Sequence, residues 1–200
     1  MKAPPQCGPA VEPQLSRETK KPLAALKLVA AVSVPVVLLI ALQRISIEQP
    51  LKAGDSAPAL VLQDPGAIPI YLSDLYSQRS AVLFFSADCP HCKQELKNFQ
   101  KLWEALGGHL KFLLITMSDR VRTKSLLDSL GISVPVAIDR EGRAQRSFGA
   151  FPVPALFLIN AGGIIHMTSF GERSLGVRKE QLETFLQTAE ARVRTSTGPR

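Results

Sequence analysis

AVLFFSADCPHC, residues 81–92, runs without a break into KQELKNFQKLW, residues 93–103. Ala81 to Ser86 form a continuous apolar run of the kind found in a strand buried on both faces. Leu96, Phe99, Leu102, Trp103 and Leu106 then recur at helical spacing until Gly107 and Gly108 end the helix. A buried strand passing straight into an amphipathic helix is the start of an α/β unit, and Cys89 and Cys92 stand at its junction.

That placement carries a chemistry. The first turn of a helix leaves backbone N–H groups unpaired, and together with the positive end of the helix dipole they favour an anion, so a sulfur held there is stabilised as a thiolate. Cys89, at the very start, is the expected exposed nucleophile. Cys92, one turn further on, is within disulfide reach and is expected to be the more buried, resolving thiol. Pro90 has no N–H and a preset φ, which suits a first helical turn. His91, when protonated, adds positive charge beside Cys89 and favours its thiolate further. A stabilised thiolate stabilises the reduced form, so this motif points toward the oxidising end of a scale from about −270 mV to about −120 mV.

Two other readings of the cysteine pair stay open. A structural zinc site needs about four ligands, and only His91, His109 and His166 accompany the pair, none of them spaced as HxxxH. The cysteines could also be buried and inert, although a strand-to-helix junction is where reactive ones sit. Neither a metal nor a cofactor is expected, and His109 and His166 read as ordinary surface or hairpin residues.

Working outward, Pro58 to Gln63 and Ile68 to Leu72 flank Asp64-Pro65-Gly66, the signature of a hairpin. Lys111 to Met117 is a second buried strand, Arg120 to Leu130 a helix ended by Gly131, and Val134 to Ile138 a short strand. Ala155 to Ile159 and Ile164 to Thr168 bracket Asn160-Ala161-Gly162-Gly163, a second hairpin. Leu182, Phe185, Leu186, Ala189 and Val193 share one face of a final helix. This order describes an α/β sandwich around a sheet that is partly parallel and partly antiparallel.

At 200 residues the chain has room for one domain with appendages. Its hydrophobic content of 46% is high beside 15 prolines, which suggests that some apolar residues serve a membrane. They concentrate in LAALKLVAAVSVPVVLLIAL, Leu23 to Leu42, about 20 residues and long enough to cross a hydrocarbon core of roughly 30 Å. Lys27 lies near the start, where it can snorkel, and Pro35 is tolerated in such helices. A secretory signal has an apolar region of about 7–15 residues ending at a small-residue cleavage site. Here the run is longer and exits through Gln43-Arg44-Ile45, so an anchor is expected over a cleaved signal or a core helix.

Arg17, Lys20, Lys21 and Lys27 outnumber Arg44 and Lys52 across the span, which keeps the N-terminus cytoplasmic and sends the domain out of the cytoplasm. The expected organisation is a disordered cytoplasmic tail at 1–22, a single-pass inner-membrane anchor at 23–42, a spacer at 43–52, the domain at 53–193 and a disordered tail at 194–200. Cys7 would then be an incidental cytoplasmic thiol. The net charge of +7 is scattered, with no basic block interleaved with aromatics, which argues against nucleic-acid binding.

Together, the apolar span, AVLFFSADCPHC with its helix, and VPALFLINAGGII (153–165) resemble the membrane-anchored thioredoxin-like thiol-disulfide oxidoreductases of the TlpA/ResA/DsbE type. GDSAPAL (54–60) and YLSDL (71–75) are similar to that family's N-terminal hairpin, and the resemblance covers Ala53 to Arg192. It implies a thioredoxin-like three-layer sandwich with an extra N-terminal hairpin. It also implies extracytoplasmic protein thiol or disulfide substrates, such as apocytochrome c, metal-site proteins or folding clients, and a partner that recycles the pair. Val153 and Pro154 match the family's cis-proline segment, in which the residue before the proline pairs with the substrate backbone. Pro152 is nearby, but Pro154 directly precedes the strand and takes the cis assignment.

The chain departs from the pattern in two places. Asp88 stands where an aromatic usually precedes the first cysteine, and its charge would oppose thiolate formation. Leu83 replaces the buried acid of thioredoxins, leaving water, Glu95 or another group to handle the Cys92 proton. Two other functions compete. A peroxiredoxin requires proline seven positions before its cysteine and Thr or Ser three before; Ser86 fits, whereas Val82 does not. A non-catalytic binding module would need neither cysteine.

Overall fold

The computed structural model of the chain describes residues 49–196. The expected tail at 1–22, Cys7, the anchor at 23–42, most of the spacer and residues 197–200 lie outside the described residues. From Gln49 onward the elements are β1 (Val61–Gln63), β2 (Pro69–Tyr71), α1 (Leu72–Leu75), β3 (Ser80–Phe85), α2 (Pro90–Leu106), β4 (Lys111–Thr116), α3 (Arg120–Leu130), β5 (Val136–Ile138), α4 (Arg143–Phe148), β6 (Ala155–Ile159), β7 (Ile165–Phe170) and α5 (Leu175–Ser196). The strands form one sheet in the order β2-β1-β5-β4-β3-β6-β7. β4 runs parallel to β3 and β5, and the remaining pairings are antiparallel.

The apolar run at 80–85 explains the position of β3. All six of its residues are buried, so it cannot be an edge. Ala81, Leu83 and Phe85 point to one side, where they pack with Cys92, Leu96 and Phe99 of α2, Leu127 of α3 and Leu182 and Phe185 of α5. Val82 and Phe84 point to the other, into a cluster with Leu72 of α1, Phe148 of α4 and Phe157 of β6. Three layers result, helices on each side of the sheet. Phe84, Phe148 and Phe157 meet edge-on or tilted, with centroids 5.0 to 5.6 Å apart, each such pair contributing about 0.5–1.5 kcal/mol beyond its burial.

The first hairpin forms with shorter strands than expected, whereas in the second β6 spans the expected Ala155–Ile159 and β7 runs on to Phe170. Ile68 gives its N–H to Asp64 Oδ1 (2.8 Å) and so belongs to the turn, leaving β2 to begin at Pro69. Helix α4 has no counterpart in the sequence reading. It spans six residues between Gly142 (φ 65°) and Gly149 (φ 60°), and Asp139 Oδ2 accepts its Gln145 N–H at 2.8 Å. Gly149 is irreplaceable on two grounds: its φ is left-handed, and a Cβ there would lie 2.5 Å from Pro50 Cα.

That close approach brings the end of the expected spacer onto the domain. The Leu51 N–H donates to the Phe148 carbonyl (3.0 Å), its carbonyl accepts from Thr168 Oγ1 (2.7 Å), and its side chain packs in the second cluster. The packed chain therefore begins before Ala53. Among the described residues no helix is long and apolar enough to cross a membrane.

Candidate active site

β3 delivers the chain to α2 through Ser86-Ala87-Asp88. Ser118 Oγ, after β4, accepts the Ala87 N–H (2.9 Å) and the Ser86 carbonyl accepts the Cys89 N–H (3.2 Å), which fixes the loop. Cys89 is the N-cap of α2, with extended dihedrals (φ −87°, ψ 117°), and Pro90 opens the helix. Cys89 is half-buried while Cys92 is fully buried, and both are free thiols. Cys89 Sγ lies 3.9 Å from the Val153 carbonyl oxygen, so the motif faces the segment before β6. The Val153–Pro154 bond is cis, as expected, and so is the Phe151–Pro152 bond, for which the sequence carries no cis expectation. Adjacent X–Pro bonds carry nothing in sequence that separates them.

The two sulfurs sit in unlike surroundings. Burial pushes the Cys92 thiol up to about 12, and its hydrogen bond to the Cys89 sulfur adds to that. The Ser86 backbone works the other way, while the charges of Cys89 and Glu95 raise it further. Cys92 is thus a thiol at neutral pH, turned toward Cys89 at the start of α2.

Beneath them, Glu95 and Arg178 form a buried ion pair, each only 1% exposed. Glu95 lies three residues beyond Cys92 on the inward side of α2; its Oε1 accepts from Arg178 Nε and its Oε2 from the Arg173 N–H at 3.0 Å. Arg178 Nη1 donates to Ser169 Oγ (2.9 Å) and Gln181 Oε1 (3.0 Å), and Nη2 to the Gly171 carbonyl (2.9 Å). Burial pulls the guanidinium below its ordinary value and Glu95 pushes it back up.

Both ionisable side chains beside Cys89 have partners. His91 Nδ1 is 3.0 Å from Glu172 Oε2, and Asp88 Oδ2 accepts from Arg122 Nη1 at 3.1 Å. His91, Val153 and Pro154 face Gly171 to Ser174 across an open groove of about 560 Å³ beside the motif. Among the described residues no three His, Cys, Asp or Glu side chains are grouped to hold a metal. Cys89, Pro90, His91, Cys92, Val153 and Pro154, singled out in the sequence, therefore converge in one place.

Residues 53–168 match the AhpC/TSA family. The chain belongs to that family. Among curated relatives, the thiol-disulfide oxidoreductase ResA of Bacillus thuringiensis is 26% identical over 142 residues, covering 70% of this chain and 80% of ResA. Among solved structures, a thiol:disulfide interchange protein DsbE from Chlorobium tepidum superposes with a TM-score of 0.63 at 23% identity, covering 70% of this chain and 98% of that one. Peroxidoxin BcpB from Mycobacterium tuberculosis gives 0.58 at 20% identity, covering 70% and 97%. The thioredoxin-like fold with its mixed sheet is shared with these structures, and the relatives identify this AhpC/TSA member as a thiol-disulfide oxidoreductase.

Three site residues of this AhpC/TSA protein escaped the sequence reading: Arg178, Glu172 and Arg122. Arg178 left a trace, because it lies four residues before Leu182 on the inward face of α5, and Glu95 shares a face with Cys92 and Phe99. A carboxylate on a buried face requires a cation, and Arg178 is the one so placed. Glu172 and Arg122 are exposed and lie 81 and 34 residues from their partners, with no pattern to link them.

Proposed function

We propose that this protein exchanges disulfides with extracytoplasmic proteins through Cys89 and Cys92, tethered to the cytoplasmic membrane by residues 23–42. The observation that carries the reading is the unlike pair: a half-exposed Cys89 at a helix start beside Val153, and a buried Cys92 held as a thiol. In the reducing direction the Cys89 thiolate attacks a partner disulfide, forming a mixed disulfide and releasing one partner sulfur as a thiolate. Cys92, losing its proton, attacks Cys89; the mixed disulfide breaks, the second partner thiol leaves, and the Cys89–Cys92 disulfide closes. The partner gains two electrons and this protein loses two, so a recycling dithiol protein must restore them. Run in reverse, the same steps oxidise a partner dithiol.

Val153 supplies backbone alongside Cys89 for an extended substrate segment, and Pro90 and His91 tune the pair. Substrates are protein thiols of cytochrome c or metal-site assembly, or folding clients. The test is trapping in the full chain: Cys92→Ser accumulates mixed disulfides through Cys89, and Cys89→Ser does not. Function retained in a Cys89→Ser, Cys92→Ser double variant would instead support a non-catalytic binding module. A peroxidase shares the fold, as BcpB illustrates, but Val82 occupies the position where that chemistry requires proline. Consumption of hydrogen peroxide at the rate of disulfide exchange would favour the peroxidase.

A further inference from the structure

Two ionisable side chains lie within two residues of Cys89, Asp88 and His91, and each is met by a side chain of opposite type from a distant part of the chain. Neither partner is loosely placed. Asp119 orients Arg122, capping its N–H at 2.9 Å and pairing with its Nε at 3.3 Å, so that Nη1 is directed to Asp88.

Glu172 is held more firmly. On one side of it, the Gly171 N–H donates to the Pro154 carbonyl (2.8 Å) and the Gly171 carbonyl accepts from Arg178 Nη2 (2.9 Å). On the other, the Arg173 N–H donates to Glu95 Oε2 (3.0 Å) and the Arg173 carbonyl accepts from Asn98 Nδ2 (2.9 Å). The backbone around Glu172 is thereby anchored to the buried Glu95–Arg178 pair, and the carboxylate is left to reach His91 across the groove.

We infer that Glu172 is a positioning residue that sets the redox balance of the pair: its carboxylate engages His91 and offsets, at Cys89, the positive charge that the ring carries when protonated. The inference rests on Cys89 and Cys92 being the redox pair, as proposed above. With Glu172 in place the reduced form loses part of the stabilisation that His91 offers it, so the protein is less oxidising than the motif by itself would make it. Arg122 does the converse for Asp88. The identity of the two residues between the cysteines is then only part of what sets the potential; Glu172, 81 residues from His91, and Arg122, 34 residues from Asp88, contribute to it as well.

The test uses the full chain in detergent, equilibrated with glutathione. One Cys89–Cys92 disulfide and two glutathione thiols give the dithiol and one glutathione disulfide, and acid quenching with alkylation and mass spectrometry counts each form. Glu172→Gln keeps the shape and removes the charge. It should shift the equilibrium toward the dithiol by about two- to fivefold, the size usual for exposed pairs, or about 10–20 mV. Arg122→Gln should shift it the opposite way by a similar factor, and both shifts should shrink in about 1 M salt. In a His91→Gln background the Glu172→Gln shift should fall to less than half.

A purely structural role for the two pairs would move stability without producing opposite signs in the equilibrium. The inference is overturned if Glu172→Gln leaves the equilibrium where it was, moves it in the same direction as Arg122→Gln, or acts equally with and without His91. If the parent chain never equilibrates with glutathione as a two-electron couple, the proposed redox pair fails instead; a normal parent couple with unmoved variants defeats only the role of Glu172.

Discussion

Replacing Arg178 with methionine should damage the domain more than any surface substitution. The guanidinium is buried, donates to Glu95, and also satisfies Ser169, Gln181 and the Gly171 carbonyl. Methionine is of similar reach and carries no charge, so Glu95 would be left as a buried carboxylate whose one other partner is the Arg173 N–H. Breaking a buried ion pair from one side costs about 3–5 kcal/mol, a large share of the roughly 5–15 kcal/mol that holds a domain together. For a domain of this length each kcal/mol lowers the melting midpoint by about 2–4 °C, which gives a fall of about 6–20 °C. Urea and thermal unfolding of residues 48–200, the compact unit that contains the site, in the disulfide form would measure it. A Glu95→Leu, Arg178→Met double variant removes both charges and should recover at least about half of the loss, because an apolar pair of similar volume substitutes well for a buried ion pair. An Arg178→Met variant within about 1 kcal/mol of the parent, or a double variant no more stable than the single one, would refute this account of the pair.

Alkylation of the reduced protein with iodoacetamide at pH 8 should label Cys89 and leave Cys92 unlabelled. With the Cys92 thiol at about 12, about one molecule in 10,000 carries its thiolate at that pH; equal labelling of both by mass spectrometry would contradict the asymmetry. The folded state keeps the Cys92 proton to a higher pH than the unfolded chain, so the reduced protein should lose stability as pH rises from 9.0 toward about 12. The disulfide form lacks that proton, and urea midpoints of the two forms should diverge across this window. Gly149→Ala should cost about 2 kcal/mol or more through its left-handed φ and the collision with Pro50, read as a lowered urea midpoint.

The parts of the fold that were legible are those whose pattern is long or doubly buried. β3 and β4 stand out as unbroken apolar runs, and α2 as a repeat of Leu96, Phe99 and Leu102 closed by glycine. α4 was not legible because six residues give one turn and a half, in which only Ala144, Gln145 and Phe148 face inward. Its bounding glycines, Gly142 and Gly149, were the available hint. At the site, chemistry borne by local spacing could be read: Cys89 with Cys92, and Pro90 and His91 between them. Val153 and Pro154 came from resemblance, since nothing in their own neighbourhood indicates that β6 returns beside the start of α2. The counter-charges from Glu172 and Arg122 depend on loop placement after folding, which periodicity does not encode.

Trp103, the only tryptophan in the chain, sits half-buried near the end of α2 and packs against the cluster that contains Cys92. Eleven residues of helix separate it from that cysteine, and at about 1.5 Å each this is roughly 16 Å. A sulfur quenches indole emission only at short range, so opening or closing the disulfide should leave the fluorescence of this protein nearly unchanged. Its emission is therefore a clean optical signal for loss of the core, while redox state has to be followed by mass.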